Sequence, residues 1–167
     1  MIQVYTGNGK GKTTAALGLA LRASGAGLRV YIGQFAKGAC YSEIKALTNI
    51  KNIIIEQFGR RCFIKKEPES IDIEMAGRGL KKIQRVIQSK RYQVIIMDEI
   101  NVALKLKLVA LDELISIIKS APKKLELVLT GRYAHPKIIK LADLVSKIEE
   151  KKHYYAKGVK ARKGIEF

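Results

Sequence analysis

Short apolar runs rich in Val, Ile and Tyr alternate along the chain with longer stretches in which apolar residues recur at helical spacing. That alternation predicts a parallel sheet flanked by helices, the α/β class. Strands are expected at residues 2–5, 28–35, 53–58, 92–97 and 125–130, with a weaker sixth at 144–148. The run Val94-Ile95-Ile96-Met97 has no polar break, which suits a central strand covered on both faces. Helices are expected at 13–24, 42–49, 69–89, 111–119 and 136–142. Pro136 suits a first helical position, where its missing N–H has no intrahelical partner to lose. Gly77 and Gly79 each cost about 1 kcal/mol relative to alanine inside a helix, which predicts a break in the third helix. The pattern therefore reads as one doubly wound domain over residues 1–167, with a mostly parallel sheet of five to six strands. Residues 154–167 have little period of either kind, so a tail ordered near the site and a disordered one both remain open.

A chain of 167 residues and 18.6 kDa is long enough to bury a core without disulfides. No stretch approaches the roughly 18 apolar residues of a membrane span, and the start lacks the layout of a secretory signal. A cytoplasmic address with no membrane partner is the expectation. Cys40 and Cys62 share no metal-ligand spacing with each other or with His135 and His153, which argues against a thiolate metal site. The net charge of +17 calls for an anionic partner or a solvated lysine-rich surface. The densest basic tract is Lys151, Lys152, Lys157, Lys160, Arg162 and Lys163. It has none of the layouts of nucleic-acid readers, so no nucleic-acid partner is expected.

Candidate chemistry begins at Thr6-Gly7-Asn8-Gly9-Lys10-Gly11-Lys12-Thr13-Thr14. This is a phosphate loop one residue short: a glycine at position 6 would complete the usual spacing, and threonine stands there. A strand is expected before it and a helix after it. Glycines 7, 9 and 11 let backbone N–H groups turn inward, and the positive end of the helix points at the same place. Lys12 would reach phosphate oxygens and the Thr13 hydroxyl would ligate Mg²⁺. A second signal is the apolar strand that ends in Asp98-Glu99, two acids that are costly to bury without a cation beside them. Arg132 lies at the end of the fifth strand, on the edge where open parallel sheets bind ligands. Arg22 on the first helix could face phosphates or solvent. His135 and His153 read as surface residues, with no nucleophilic arrangement near either. These signals leave several chemistries open: hydrolysis coupled to motion, a small-molecule kinase using MgATP with Glu99 as base, and a nucleotide-regulated nucleic-acid-binding module.

The chain also resembles, from end to end, the P-loop family of ATP:corrinoid adenosyltransferases. The residues carrying the resemblance are Tyr5 through Ala16, Gly18-Leu19-Ala20-Leu21-Arg22-Ala23, Gln34-Phe35-Ala36-Lys37-Gly38, Met97-Asp98-Glu99-Ile100-Asn101, Leu129-Thr130-Gly131-Arg132, Ala142-Asp143 and Gly158 through Phe167. The short phosphate loop is itself a mark of that family. The resemblance implies transfer of the 5′-deoxyadenosyl group of ATP to the cobalt of a reduced corrinoid, with release of triphosphate. The nucleotide is thought to lie reversed along the loop, its ribose 5′ carbon facing the corrinoid. It further implies Lys12, Thr13 and Glu99 as catalytic residues, and Thr13, Asp98 and Glu99 as ligands of Mg²⁺ or Mn²⁺. Nucleotide contacts are expected from Gly7, Asn8, Gly9, Lys10, Gly11, Lys12, Thr13, Thr14, Arg22 and Arg132. An electron-donating reductase and a homodimer are also implied. Many relatives carry a phenylalanine and a tryptophan after the third strand, as a wedge against the corrinoid's lower ligand. This chain has no tryptophan, and Phe63, in the segment Gly59-Arg60-Arg61-Cys62-Phe63-Ile64, is the residue left for that role.

Overall fold

The structure is a computed structural model that describes residues 1–39, 41–61, 64 and 67–167. Its elements run β1 (Ile2–Thr6), α1 (Lys12–Gly25), β2 (Val30–Phe35), α2 (Ser42–Leu47), β3 (Ile53–Phe58), α3 (Ser70–Gln88) and β4 (Val94–Asp98). There follow α4 (Ile100–Lys105), α5 (Leu111–Ser120), β5 (Glu126–Thr130), α6 (Pro136–Leu141), β6 (Leu144–Lys147) and a 3₁₀ turn at Tyr154–Lys157. All six strands pair in parallel, in the order β3-β2-β4-β5-β1-β6.

The unbroken apolarity of β4 has its explanation in the two cores. Ile95 and Met97 point into a cluster formed with α3, α4, α5 and α6, while Val94 and Ile96 point into one formed with Ala16, Ala20 and Ala23 of α1. Alternate residues thus enter different cores, and no position on the strand is left for a polar side chain until Asp98. The small residues on α1 let its backbone approach the sheet closely, which holds its first turn over the ends of β1 and β4.

Two features differ from the sequence expectation. Helix α3 is continuous through Gly77 and Gly79. A Cβ on Gly79 would lie 2.6 Å from the Phe58 ring, so this glycine is where α3 packs down on β3, and burial outweighs its helix penalty. The helix α4 was not expected, because only six residues separate the bend at Glu99 from the end of the helix. Pro136 does occupy the first turn of α6.

The segment between β3 and α3 is pinned at its start. Arg60 donates from Nε to Asp72 Oδ1 at 2.7 Å and from Nη2 to Asp72 Oδ2 at 2.8 Å, and also reaches Glu69. Asp72 in turn accepts the Glu69 N–H, closing a capping box at the head of α3. The paired guanidinium holds the Asp72 carboxyl below the usual carboxylate range. Cys40, Cys62 and Phe63, with the proposed aromatic wedge, lie outside the described residues.

Candidate active site

The loop between β1 and α1 is shaped by contacts on its outer side. A Cβ on Gly7 would stand 2.4 Å from the Ile148 carbonyl oxygen, and one on Gly9 would stand 2.8 Å from Glu149 backbone. The chain leaving β6 therefore lies against the loop, and only glycine allows it so near. The Gly9 N–H donates to the Ile148 oxygen at 2.8 Å, so this amide is committed to the fold. Gly11 adopts φ +115° with open space around it, a left-handed conformation in which glycine is unstrained, and it forms the N-cap of α1. Behind it come the first amides of a 14-residue helix, with the positive end of its dipole facing outward. No acidic side chain occupies that first turn to neutralise it.

Lys12 is buried at this point, and its Nζ donates to the Gly9 carbonyl at 2.7 Å. Burial lowers its pKa from the ordinary 10.5, with Arg132 and Lys37 adding to the effect and Glu99 and Asp98 opposing it. A cation held at a disadvantage beside a positive helix end is a poised anion receptor.

Asp98 is fully buried at the end of β4 and is surrounded by donors. Thr13 Oγ1 donates to its Oδ1 at 2.9 Å and Thr130 Oγ1 to the same oxygen at 2.6 Å. Gln34 Nε2 and Lys37 Nζ donate to Oδ2, each at 3.2 Å. The next residue, Glu99, turns at φ +58°, and its N–H donates to Thr130 Oγ1 at 3.0 Å. Ala36 after β2 and Tyr133 after β5 share this left-handed conformation, at φ 53° and 65°. Strain of about 1–3 kcal/mol per such residue is thus concentrated on one edge of the sheet. Lys37 Nζ also lies 3.4 Å from Glu99 Oε1 and 3.4 Å from Thr13 Oγ1. Burial alone would lower the Lys37 pKa, but attraction to Asp98 and Glu99 outweighs it and raises the value.

A cavity of about 1020 Å³ opens from these groups along α1 and under the end of the chain. That is at the top of the roughly 300–1,000 Å³ range of ligand sites, large enough for more than one ligand. Lys12, Thr13, Glu99 and Arg132 gather at its polar head, Leu17, Leu21, Leu47, Val102, Leu106 and Phe167 add apolar wall, and Glu43, His153 and Glu166 interrupt that wall with polar groups. The tail completes the wall. Lys10 Nζ donates to Glu166 Oε1 at 2.8 Å and to Tyr154 Oη at 2.6 Å, the Arg162 N–H donates to Glu166 Oε2 at 2.6 Å, and Tyr154 also donates to Glu166. Ser42 Oγ donates to the Phe167 carbonyl at 3.2 Å. With Lys10, Tyr154 and Arg162 all donating to it, Glu166 ionises well below the usual carboxylate range.

Among the expected site residues, Gly9, Lys10, Gly11, Lys12, Thr13, Thr14, Glu99 and Arg132 line the cavity, and Asp98 lies directly behind Thr13. Lys10 is engaged by the tail. Gly7, packed against Ile148, and Asn8 lie outside the cavity lining. Arg22 lies in the last turn of α1, about 15 Å along the axis from Lys12 at about 1.5 Å per residue, and does not line the cavity. His153, expected on the surface, is half-buried, lines the cavity and packs against Tyr154 with the rings tilted by 48° and their centroids 4.7 Å apart. His135 caps α6, its Nδ1 accepting the Lys137 N–H. No role was expected for Lys37 or Gln34, although the register of β2 against β4, which pairs Gln34 with Asp98, brings both to the site.

The family described as ATP:corrinoid adenosyltransferase BtuR/CobO/CobP matches residues 1–167. A corrinoid adenosyltransferase of Sinorhizobium sp is 33% identical over 177 residues, covering 100% of this chain and 80% of that protein. The corrinoid adenosyltransferase of Escherichia coli K12 is 30% identical, covering 100% and 85%, and that of Salmonella typhimurium is 31% identical with the same coverage. Among solved structures, a KaiC-like protein from Pyrococcus horikoshii superposes with a TM-score of 0.57 at 17% identity, covering 90% of this chain and 72% of that one, a likeness of fold.

Proposed function

The chain belongs to the ATP:corrinoid adenosyltransferase family, and on that premise we propose how its own residues carry the transfer of the 5′-deoxyadenosyl group of ATP to a reduced corrinoid. The observation that carries the reading is the Thr13–Asp98 hydrogen bond, which ties the phosphate loop to the end of β4 at the polar head of one large cavity. The triphosphate chain lies at that head, on Lys12, Thr13, Thr14 and the free amides of the first turn of α1. The corrinoid lies toward the apolar wall.

Cobalt(I) of the substrate supplies an electron pair to the ribose C5′, and the C5′–O bond breaks with its pair leaving on triphosphate. The nucleophile is already strong, so no protein base is needed; the protein's work is to hold two substrates in line and stabilise the departing charge. Lys12, the helix amides and Arg132 are aimed at that charge. The buried setting of Lys12 increases its effect on an anion that gains charge as the bond breaks, while Arg132 acts from the exposed rim of the site.

Thr13, Asp98 and Glu99 present a hydroxyl and two carboxylates within reach of one point, an all-oxygen set that fits Mg²⁺ or Mn²⁺. Among the described residues no larger cluster of His, Cys, Asp and Glu gathers for a metal. When bound, such an ion would offset phosphate charge. The reading also includes a reductase that delivers electrons to the corrinoid, a cytoplasmic setting and a homodimer. Among the described residues no helix is long and apolar enough to cross a membrane. The open edge strand β6, with Leu144 and Val145 exposed, supports association between copies.

The phosphorus products test the reading. Phosphorus NMR of a reaction with ATP and pre-reduced cobalamin should show triphosphate formed one for one with the adenosylated product. ADP in its place would assign the site to phosphoryl transfer.

A further inference from the structure

The ammonium of Lys37 occupies an unusual position. It stands 3.2 Å from Asp98 Oδ2, 3.4 Å from Glu99 Oε1 and 3.4 Å from Thr13 Oγ1, and so touches each of the three groups to which the divalent cation is assigned. Three N–H donors meet three oxygens. The side chain is largely buried, so bulk solvent does not screen it from the carboxylates. Its backbone is fixed as well: a Cβ on Gly38 would lie 2.1 Å from the Gly59 oxygen and one on Gly59 2.5 Å from the Lys37 nitrogen. The loops after β2 and β3 are therefore locked together, and Lys37 is held at the acids by design of the backbone.

We infer that Lys37 is a resident counter-ion, which neutralises Asp98 and Glu99 in the empty enzyme and must leave their oxygens before a divalent cation can bind there. The inference rests on the assignment of Thr13, Asp98 and Glu99 as metal ligands. Two cations of like sign cannot share these oxygens, because a divalent ion at coordinating distance would lie in contact with the ammonium. Lys37 also gives the metal site a requirement: the ion enters readily only when another anion, the polyphosphate, is present to receive the displaced ammonium. That links metal binding to nucleotide binding and keeps the acids from capturing metal alone.

The test is Mn²⁺ binding without nucleotide, read from the electron paramagnetic resonance of free Mn²⁺, in wild type, Lys37→Met, Lys37→Gln and Lys37→Arg. Removing the competing charge should tighten Mn²⁺ binding about tenfold or more in Lys37→Met and Lys37→Gln, while Lys37→Arg stays near wild type. Lys37→Gln, one bond shorter but neutral and still able to hydrogen-bond, gives the reading if Lys37→Met fails to fold. Glu99→Gln should abolish binding in every background. Unchanged Mn²⁺ affinity in both neutral variants, with binding still lost in Glu99→Gln, would overturn the role of Lys37 and leave the metal site standing. Absence of Mn²⁺ binding in wild type and in every Lys37 variant would overturn the metal assignment and this inference together.

Discussion

The Lys12 ammonium rests on a carbonyl of its own loop and is held below its ordinary pKa by burial, so a bound polyphosphate gives it a better partner and restores its affinity for the proton. Binding is then coupled to proton uptake between the lowered value and 10.5. ATP affinity should fall as pH rises through that window, and KM for ATP measured from neutral to alkaline pH checks it. Replacing Lys12 with alanine should lower kcat/KM by about 10²–10³, the effect of removing one preorganised donor to developing charge. Near-normal turnover in that variant would remove the loop from the mechanism. That Lys12, Thr13 and Asp98 gather at one end of the sheet was legible in the sequence because each position is set by a local pattern, glycines before a helix or acids after an apolar run. Lys37 was not. Its partners are 24 and 61 residues away, and only the adjacency of β2 and β4 brings them together. The Gly9 amide was misjudged for the same reason, since the acceptor that takes it is Ile148.

At the level of elements, propensity and packing oppose each other most clearly in α3. Gly77 faces open space, so Gly77→Ala should stabilise the protein by about 0.5–1 kcal/mol through helix propensity. A Cβ at Gly79 would stand 2.6 Å from the Phe58 ring, so Gly79→Ala should destabilise the protein by about 1–3 kcal/mol through overpacking. Urea denaturation of the two variants decides this, and effects of the same sign would contradict the packing account. The alternating strands and helices were readable because their periods are local, and β3 falls on the residues expected. The break expected in α3 did not appear because the sequence carries no sign of what each glycine faces. The six-residue α4 was hidden for a related reason: it depends on the bend at Glu99, held by Thr130 from another strand.

Across the whole molecule, the two ends of the chain meet at the cavity. Lys10 and Glu166 are 156 residues apart, and the tail that joins them walls the cavity without any local pattern that would announce it. Because Glu166 ionises lower in the folded protein than in the free chain, its contribution to holding the tail is complete above the ordinary carboxylate pKa of 4.5, declines below it and is gone once pH has fallen through the lowered folded-state value. Trypsin should cut at Lys157, Lys160, Arg162 and Lys163 faster in Glu166→Ala than in wild type at neutral pH. Equal rates would show that the contact does not order the tail. The central claim, that this cavity joins the 5′ carbon of ATP to cobalt, is tested most directly by mixing the chain anaerobically with ATP and chemically reduced cobalamin and recording the spectrum before and after illumination. The account predicts an alkylcobalt spectrum that light abolishes. A cobalamin spectrum unchanged by the protein, with ATP left intact or hydrolysed to ADP, would contradict it.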